Sequence, residues 1–173
     1  DQVVLSASSP DEEALVLGAS YFGVEFVDRI DTNAIVCTTR MPLPLQPDGE
    51  PVEEKYDVLH ILGFNSVRKR MSVVVRSPEG EVHVLTKGAD TTMIPLLRND
   101  TDEALLEVTM KHMDEFALEG LRTLMVGSRV MPEEEYFAWD KEYDEAINDL
   151  KEVEAHQLGK ENRIDKLMIQ AEQ

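Results

Sequence analysis

The chain has 173 residues, 42% hydrophobic and 30% charged, enough for one domain with a buried core. Its net charge of −18 sets aside nucleic acid and anionic lipid surfaces as primary partners, because phosphates need Lys and Arg to displace their counterions. The single cysteine, Cys37, cannot close an internal disulfide and fits a reducing compartment; no apolar run reaches bilayer length, and no signal peptide opens the chain.

The first expected helix is "SSPDEEALVLGASYFG". Ser9 suits the N-cap, Pro10 the first helical position, and Glu12 completes a capping box three residues on. Asp11, Glu12 and Glu13 oppose the positive end of the helix dipole. Ala14, Leu15, Ala19 and Phe22 give an apolar face, and Gly23 is placed to close the helix. These roles account for every residue of the stretch without a ligand.

Two short strands follow around the turn-prone Asp31, Thr32 and Asn33. Residues 41–54 hold Pro42, Pro44, Pro47 and Pro51 and are expected to form a surface loop. "KYDVLHILGF" alternates, with Tyr56, Val58, His60, Leu62 and Phe64 on one face. "RMSVVVR" and "EVHVLTKG" should form a hairpin across Pro78 and Gly80. Asp100 or Thr101 is the expected cap of a helix with Leu105, Val108, His112 and Phe116 on one face, stopped at Gly120. "LRTLMVGSRV" reads as a strand, and one long helix runs from Pro132 through Leu158. Residues 159–173 are expected to be a helical, polar, loosely anchored tail. The order helix, strands, helix, strand, helix predicts the α+β class: a mostly antiparallel β-sheet flanked by helices, in a single domain over 1–173. The opening at Asp1 and the helix-like final residues suggest a piece of something longer.

Little in the chain resembles a self-contained catalyst. There is no phosphate loop of the G-x-x-x-x-G-K-[ST] kind, no G-x-G-x-x-G and no nucleophile elbow. His60, His83, His112 and His156 lack metal-ligand spacing; His60 and His112 fall on apolar faces and read as packed core residues. One island departs from the acidic background. Residues 58–78 contain no carboxylate but hold Arg68, Lys69, Arg70 and Arg76, with Lys87 soon after. Such an island is either a solvated basic turn or a place for an anion. Phe64 at a strand end before the island, Lys87 before Gly88 in "TKGAD", and Arg122 in "EGLRTL" combine an aromatic face with fixed cations. A nucleotide needs both, stacking for its base and charge for its phosphates. Core packing for Phe64 and ordinary strand-end charges for Lys87 and Arg122 are the competing readings.

Taken in order, "SSPDEEAL", "GFNSVRKRMSVVVR", "LTKGADTTM" and "EGLRTL" resemble the nucleotide-binding domain of the type IV P-type ATPases, the phospholipid flippases. The resemblance runs from about Leu5 to the helix after Pro132. It implies that Glu12 hydrogen-bonds the adenine amino group and Phe64 stacks on the ring. It also implies that Lys69 and Lys87 line the pocket near base, ribose and phosphates, and that Arg122 holds the phosphate chain. Asp11 and Glu13 keep the helix-start role. The family's phosphorylated aspartate motif does not occur here, so no catalytic residue is expected in the chain, nor any metal ligand. The resemblance implies an ATP-binding cytosolic domain of an integral membrane translocase, which binds ATP with Mg²⁺ without hydrolysing it alone. Its implied partners are the phosphorylation and actuator domains of the same parent and an accessory β-subunit, with no nucleic acid and no direct membrane contact. A P-type ATPase of another branch, or a degenerate scaffold that binds no nucleotide, are the alternatives.

Overall fold

A computed structural model describes residues 9–31, 34–39, 52–66 and 68–173. The sheet follows chain order, β1-β2-β3-β4-β5-β6. Backbone contacts group into two compact units, Asp1–Leu59 with Val75–Gly80, and His60–Val74 with Glu81–Gln173.

The first unit opens with α1 (Pro10–Tyr21), where Ser9 Oγ accepts the Glu12 N–H at 3.3 Å. The cap falls where the sequence places it, with Pro10 in the first turn. The expected apolar face of α1 is not buried: Leu15 and Phe22 are exposed, together with Leu17 and Tyr21. These residues are spread around the cylinder instead of forming one stripe, so no single face gathers them. Strands β1 (Val24–Ile30) and β2 (Ala34–Thr39) pair antiparallel, with Asp31 at φ 61° where the chain turns. β2 pairs antiparallel with β3 (Val52–Leu62). The proline-rich segment predicted over 41–54 lies outside the described residues up to 51, and Val52, Glu53 and Glu54 are already β3.

The second unit holds the end of β3, most of β4 (Arg70–Arg76), β5 (Val82–Gly88) and β6 (Met125–Met131). β5 alternates: Val82, Val84, Thr86 and Gly88 are buried, and His83, Leu85 and Lys87 form the other row. Leu62, Val74, Val82, Val84, Met131, Trp139, Ala146 and Ala171 make the core. Each fully buried Val or Leu contributes about 1.5–3 kcal/mol of transfer free energy. β5 leads into a short helix α2 (Asp90–Met93) and a 3₁₀ turn (Ile94–Leu96), which the sequence reading did not separate from the loop.

Two boundaries differ from expectation. Helix α3 (Glu103–Leu118) is capped by Asp102, whose carboxylate accepts from Ala104 N at 2.9 Å and Leu105 N at 3.2 Å. Asp100 is taken by the Arg98 guanidinium instead. Leu105, Val108, His112 and Phe116 on α3 are exposed, so His112 is not a core residue. The long helix expected after Pro132 is two, α4 (Glu133–Ile147) and α5 (Leu150–Gln157), because Asp149 breaks off to cap the second through Lys151 N.

The tail departs most from its expected character. Residues Arg163–Glu172 form α6, which buries Ile164, Leu167, Met168, Ala171 and Glu172. Trp139 Nε1 donates to Leu167 O at 2.8 Å, and Arg129 Nη1 donates to Ala171 O at 3.1 Å, placing a cation at the helix C-terminus. A strong apolar stripe hidden among polar residues anchors what reads by composition as a free end.

Candidate functional site

Antiparallel neighbours bring the end of one strand beside the start of the next. In the second unit, β3 ends at Leu62, β4 starts at Arg70, β5 ends at Gly88 and β6 starts at Met125, all along one edge. Four of the five residues singled out in the sequence sit at that edge. Phe64 lies just past β3, Lys69 just before β4, Lys87 next to last in β5, and Arg122 in the segment leading into β6. Lys87 pairs in register with Val126, and Gly88 with Met125. Arg122, expected inside the strand, stands three residues before it and is exposed. Glu12 belongs to the first unit, in the first turn of α1, with its side chain half-buried.

Between β3 and β4 the chain makes one tight turn. Asn65 Oδ1 accepts the Arg68 N–H at 2.7 Å, and Asn65 O accepts the Lys69 N–H at 2.9 Å. Lys69 leaves this turn at φ 51°, a left-handed conformation that costs a non-glycine residue about 1–2 kcal/mol. Its carbonyl accepts the Ala89 N–H at 3.2 Å, which stitches the Lys69 corner to the end of β5. Phe64 at the entrance of the turn is 65% exposed, and Lys69 at its exit is exposed too. Phe64 is therefore not a core residue, and its ring is open to a stacking partner. Gly88, the last residue of β5, is a close-packing position: a Cβ there would stand 2.5 Å from Arg70 Cβ and 3.0 Å from Lys69 O.

Beneath the turn lies a buried ionic cluster. The Arg68 guanidinium reaches back to three carbonyls, Leu62 O at 3.1 Å, Gly63 O at 2.7 Å and Arg70 O at 3.2 Å. Its Nη1 is 3.1 Å from Glu172 Oε1, near enough for the charges to attract but poorly angled for a hydrogen bond. Arg70 Nε donates to Glu172 Oε2 at 2.5 Å, and Ser72 Oγ donates to Glu172 Oε1 at 2.6 Å. Ser72 in turn shares a hydrogen bond with Thr86 across the hairpin at 2.9 Å. Burial pushes the Arg68 guanidinium down from its ordinary value; Glu172 opposes that shift and Arg70 adds to it.

The basic island thus splits. Arg68 and Arg70 are consumed internally, their anion being the carboxylate of α6. Lys69, between them, is turned outward. Sequence reasoning missed Asn65, Arg68 and Glu172 as the supports of this corner. One signal was present: Glu172 follows Met168 by four residues and so shares its apolar face.

Around His60 the packing is aromatic. Its Nε2 meets Asp140 Oδ1 at 2.5 Å, and its ring stands edge-on to Trp139 and Tyr143, with centroids 5.1 and 5.4 Å away. His60 is the packed histidine expected of it. Among the described residues no group of three or more His, Cys, Asp or Glu side chains could hold a metal ion. No described helix is long and apolar enough to cross a membrane. A cavity of about 600 Å³ opens among Thr86, Met93, Gly127, Arg129 and Glu172, and none of the candidate residues lines it.

Comparison with known proteins places this arrangement. The chain is 40% identical to the phospholipid-transporting ATPase DRS2 of Saccharomyces cerevisiae over 83% of its length, which is 10% of that protein. It is 42% identical to phospholipid-transporting ATPase ID of Homo sapiens over 80% of its length and 10% of that protein. To a phospholipid-transporting ATPase of Schizosaccharomyces pombe it is 36% identical over 98% of its length and 12% of that protein. The chain therefore spans about an eighth or less of each of these relatives. The family model described as P-type ATPase, cytoplasmic domain N matches residues 5–169, most of the chain and of each compact unit, so the chain belongs to the cytoplasmic N-domain family of the P-type ATPases.

Proposed function

We propose that this chain is the ATP-binding cytosolic domain of a phospholipid-translocating P-type ATPase. The observation that carries the reading is the gathering of Phe64, Lys69, Lys87 and Arg122 at one edge of four adjacent strands, with the aromatic ring exposed. In this reading Phe64 stacks on adenine, Glu12 accepts from its amino group, Lys69 and Lys87 line the pocket near base, ribose and phosphates, and Arg122 holds the phosphate chain. Mg²⁺ arrives with the triphosphate in this reading. The domain presents the γ-phosphate to an aspartate on a separate phosphorylation domain, and closure of the two drives lipid movement. Phosphoryl transfer of this kind depends on positioning and charge neutralisation, which a domain without its own nucleophile can supply. The lipid branch rests on the names of the relatives and on "SPDE", "RKRMSV" and "KGAD" in this chain. Phosphorylation and actuator domains of the same parent, and an accessory β-subunit, are the partners this reading calls for.

Titration of the 173-residue chain with ATP, followed by amide NMR and repeated with GTP and with Phe64→Ala, tests the proposal. Expected are shifts near Glu12, Phe64, Lys87 and Arg122 with ATP, weaker ones with GTP, and an affinity lowered by about 1–3 kcal/mol in the variant. With the chain as a whole strongly acidic and no phosphate-loop motif in its sequence, the affinity should itself be weak. Absence of any shift at millimolar ATP would favour a scaffold that binds partners instead of nucleotide.

A further inference from the structure

We infer that α6 is a splint for the nucleotide edge, with Asp165 and Glu172 as positioning residues that hold the Asn65–Lys69 turn in its ligand-ready shape. The inference rests on the proposed ATP site and adds the element that shapes it. Both ends of the helix grip the turn. In its first turn, Asp165 Oδ1 accepts from Asn65 Nδ2 at 3.2 Å, the same Asn65 whose Oδ1 and backbone carbonyl fold the turn. Asp165 is itself fixed by Asn162, through Nδ2 at 2.6 Å, and by His156 Nδ1 at 3.1 Å. In its last turn, Glu172 takes Arg70 and Ser72 and neutralises Arg68, whose guanidinium fastens the carbonyls on either side of the turn. The helix is held in turn by Trp139 and Arg129.

The geometry explains why two buried arginines flank one exposed lysine. Lys69 occupies a left-handed conformation that an unsupported chain would leave. Three contacts oppose that relaxation: the Asn65 turn, the Lys69–Ala89 bond, and the Arg68 clamp. Two of the three lead to α6. Arg68 is accordingly a support and not a phosphate ligand, since its guanidinium is spent on carbonyls and on Glu172. Glu172→Gln keeps the shape of the side chain and removes the charge that offsets Arg68 and Arg70.

The test uses the 173-residue chain and compares wild type, Glu172→Gln and Asn65→Ala by site-resolved amide hydrogen exchange, with ATP titrations on each. The expected result is exchange at Lys69 and Ala89 accelerated at least about tenfold, while amides of α4 and the centre of β6 keep their rates. ATP binding should weaken about tenfold in both variants. The effects of Glu172→Gln and Phe64→Ala on ATP should also be non-additive, because one acts through the turn that carries the other. If Glu172→Gln does not fold, Asp165→Ala decides alone, since it cuts the tie from α6 to Asn65 and leaves the bond of Asn65 Oδ1 to the Arg68 N–H in place; unchanged exchange at Lys69 in that variant overturns the splint. Unchanged exchange at Lys69 and Ala89, or acceleration spread evenly over the chain, overturns the splint. If wild type takes up no ATP while the variants still loosen Lys69, the nucleotide reading falls and the mechanical role of α6 stands.

Discussion

Gly88 and Arg70 touch backbone to side-chain root: a Cβ on the glycine would lie 2.5 Å from Arg70 Cβ and 3.1 Å from Arg70 Cα. Neither neighbour is the free end of a side chain, so neither can swing aside. Gly88→Ala should therefore destabilise the chain by about 1–3 kcal/mol, read from the urea midpoint at unchanged slope. Because the strain falls on the Lys69 corner, ATP affinity should fall as well. A variant as stable as wild type would mean that β4 and β5 separate more readily than this contact allows.

Lys69 permits binding and folding to be pulled apart. Asparagine tolerates the left-handed region better than lysine does, so Lys69→Asn should leave stability unchanged or raise it by up to about 1 kcal/mol. The same change removes a cation from the proposed site, and ATP should bind more weakly. Stability measured by urea titration and affinity measured by NMR should move in opposite directions. If both fall together, Lys69 has a structural role that its exposure does not suggest.

Alkaline pH should weaken the second unit through Tyr143. Burial pushes the Tyr143 hydroxyl above its ordinary value, against the Arg68 charge, which pulls it down; Asp165 and Asp144 add to the rise. A raised folded value means that the native state keeps a proton the unfolded chain has already released. The associated stability is complete below about pH 10, the unfolded value, and is lost as pH climbs through the folded one. Tyr143→Phe cannot ionise, so its urea midpoint should decline less steeply above about pH 10 than that of wild type. Parallel declines would assign the alkaline loss to other groups.

Not every ion pair should matter. Lys166 Nζ and Glu161 Oε1 lie 2.6 Å apart, and each holds the other's charge: the Glu161 carboxyl is drawn down and the Lys166 ammonium up. Both are solvent-exposed, where such pairs are screened. Glu161→Gln should leave the urea midpoint within experimental error, in contrast to Glu172→Gln, which opens a buried cluster.

Local signals in the sequence were legible where one residue sets one conformation. Ser9 before Pro10 fixed the start of α1, the alternation of "EVHVLTKG" gave β5, and Gly120 marked the end of α3 at φ 79°. The strand-end positions of Phe64 and Lys87 were legible in the alternating segments they close, while Arg122 fell short of its strand. What escaped was settled by partners far along the chain. Arg68, Lys69 and Arg70 look alike in a sequence, and only the arrival of Glu172 divides them into two buried supports and one exposed cation. The tail read as loose because its polar residues outnumber its apolar ones, though the apolar ones align on a single face. Asp102 displaced its neighbours as cap because Arg98 had already engaged Asp100.

The placement of Trp139 has a practical consequence. It is the only tryptophan in the chain, its indole N–H is held by a carbonyl of α6, and its ring stacks on Tyr143 with centroids 4.8 Å apart. Its emission is thus a native optical gauge of whether the C-terminal helix is seated. Excited at the red edge, an unlabelled sample would reveal undocking of α6 as a shift in colour and intensity, on any timescale a fluorimeter can follow.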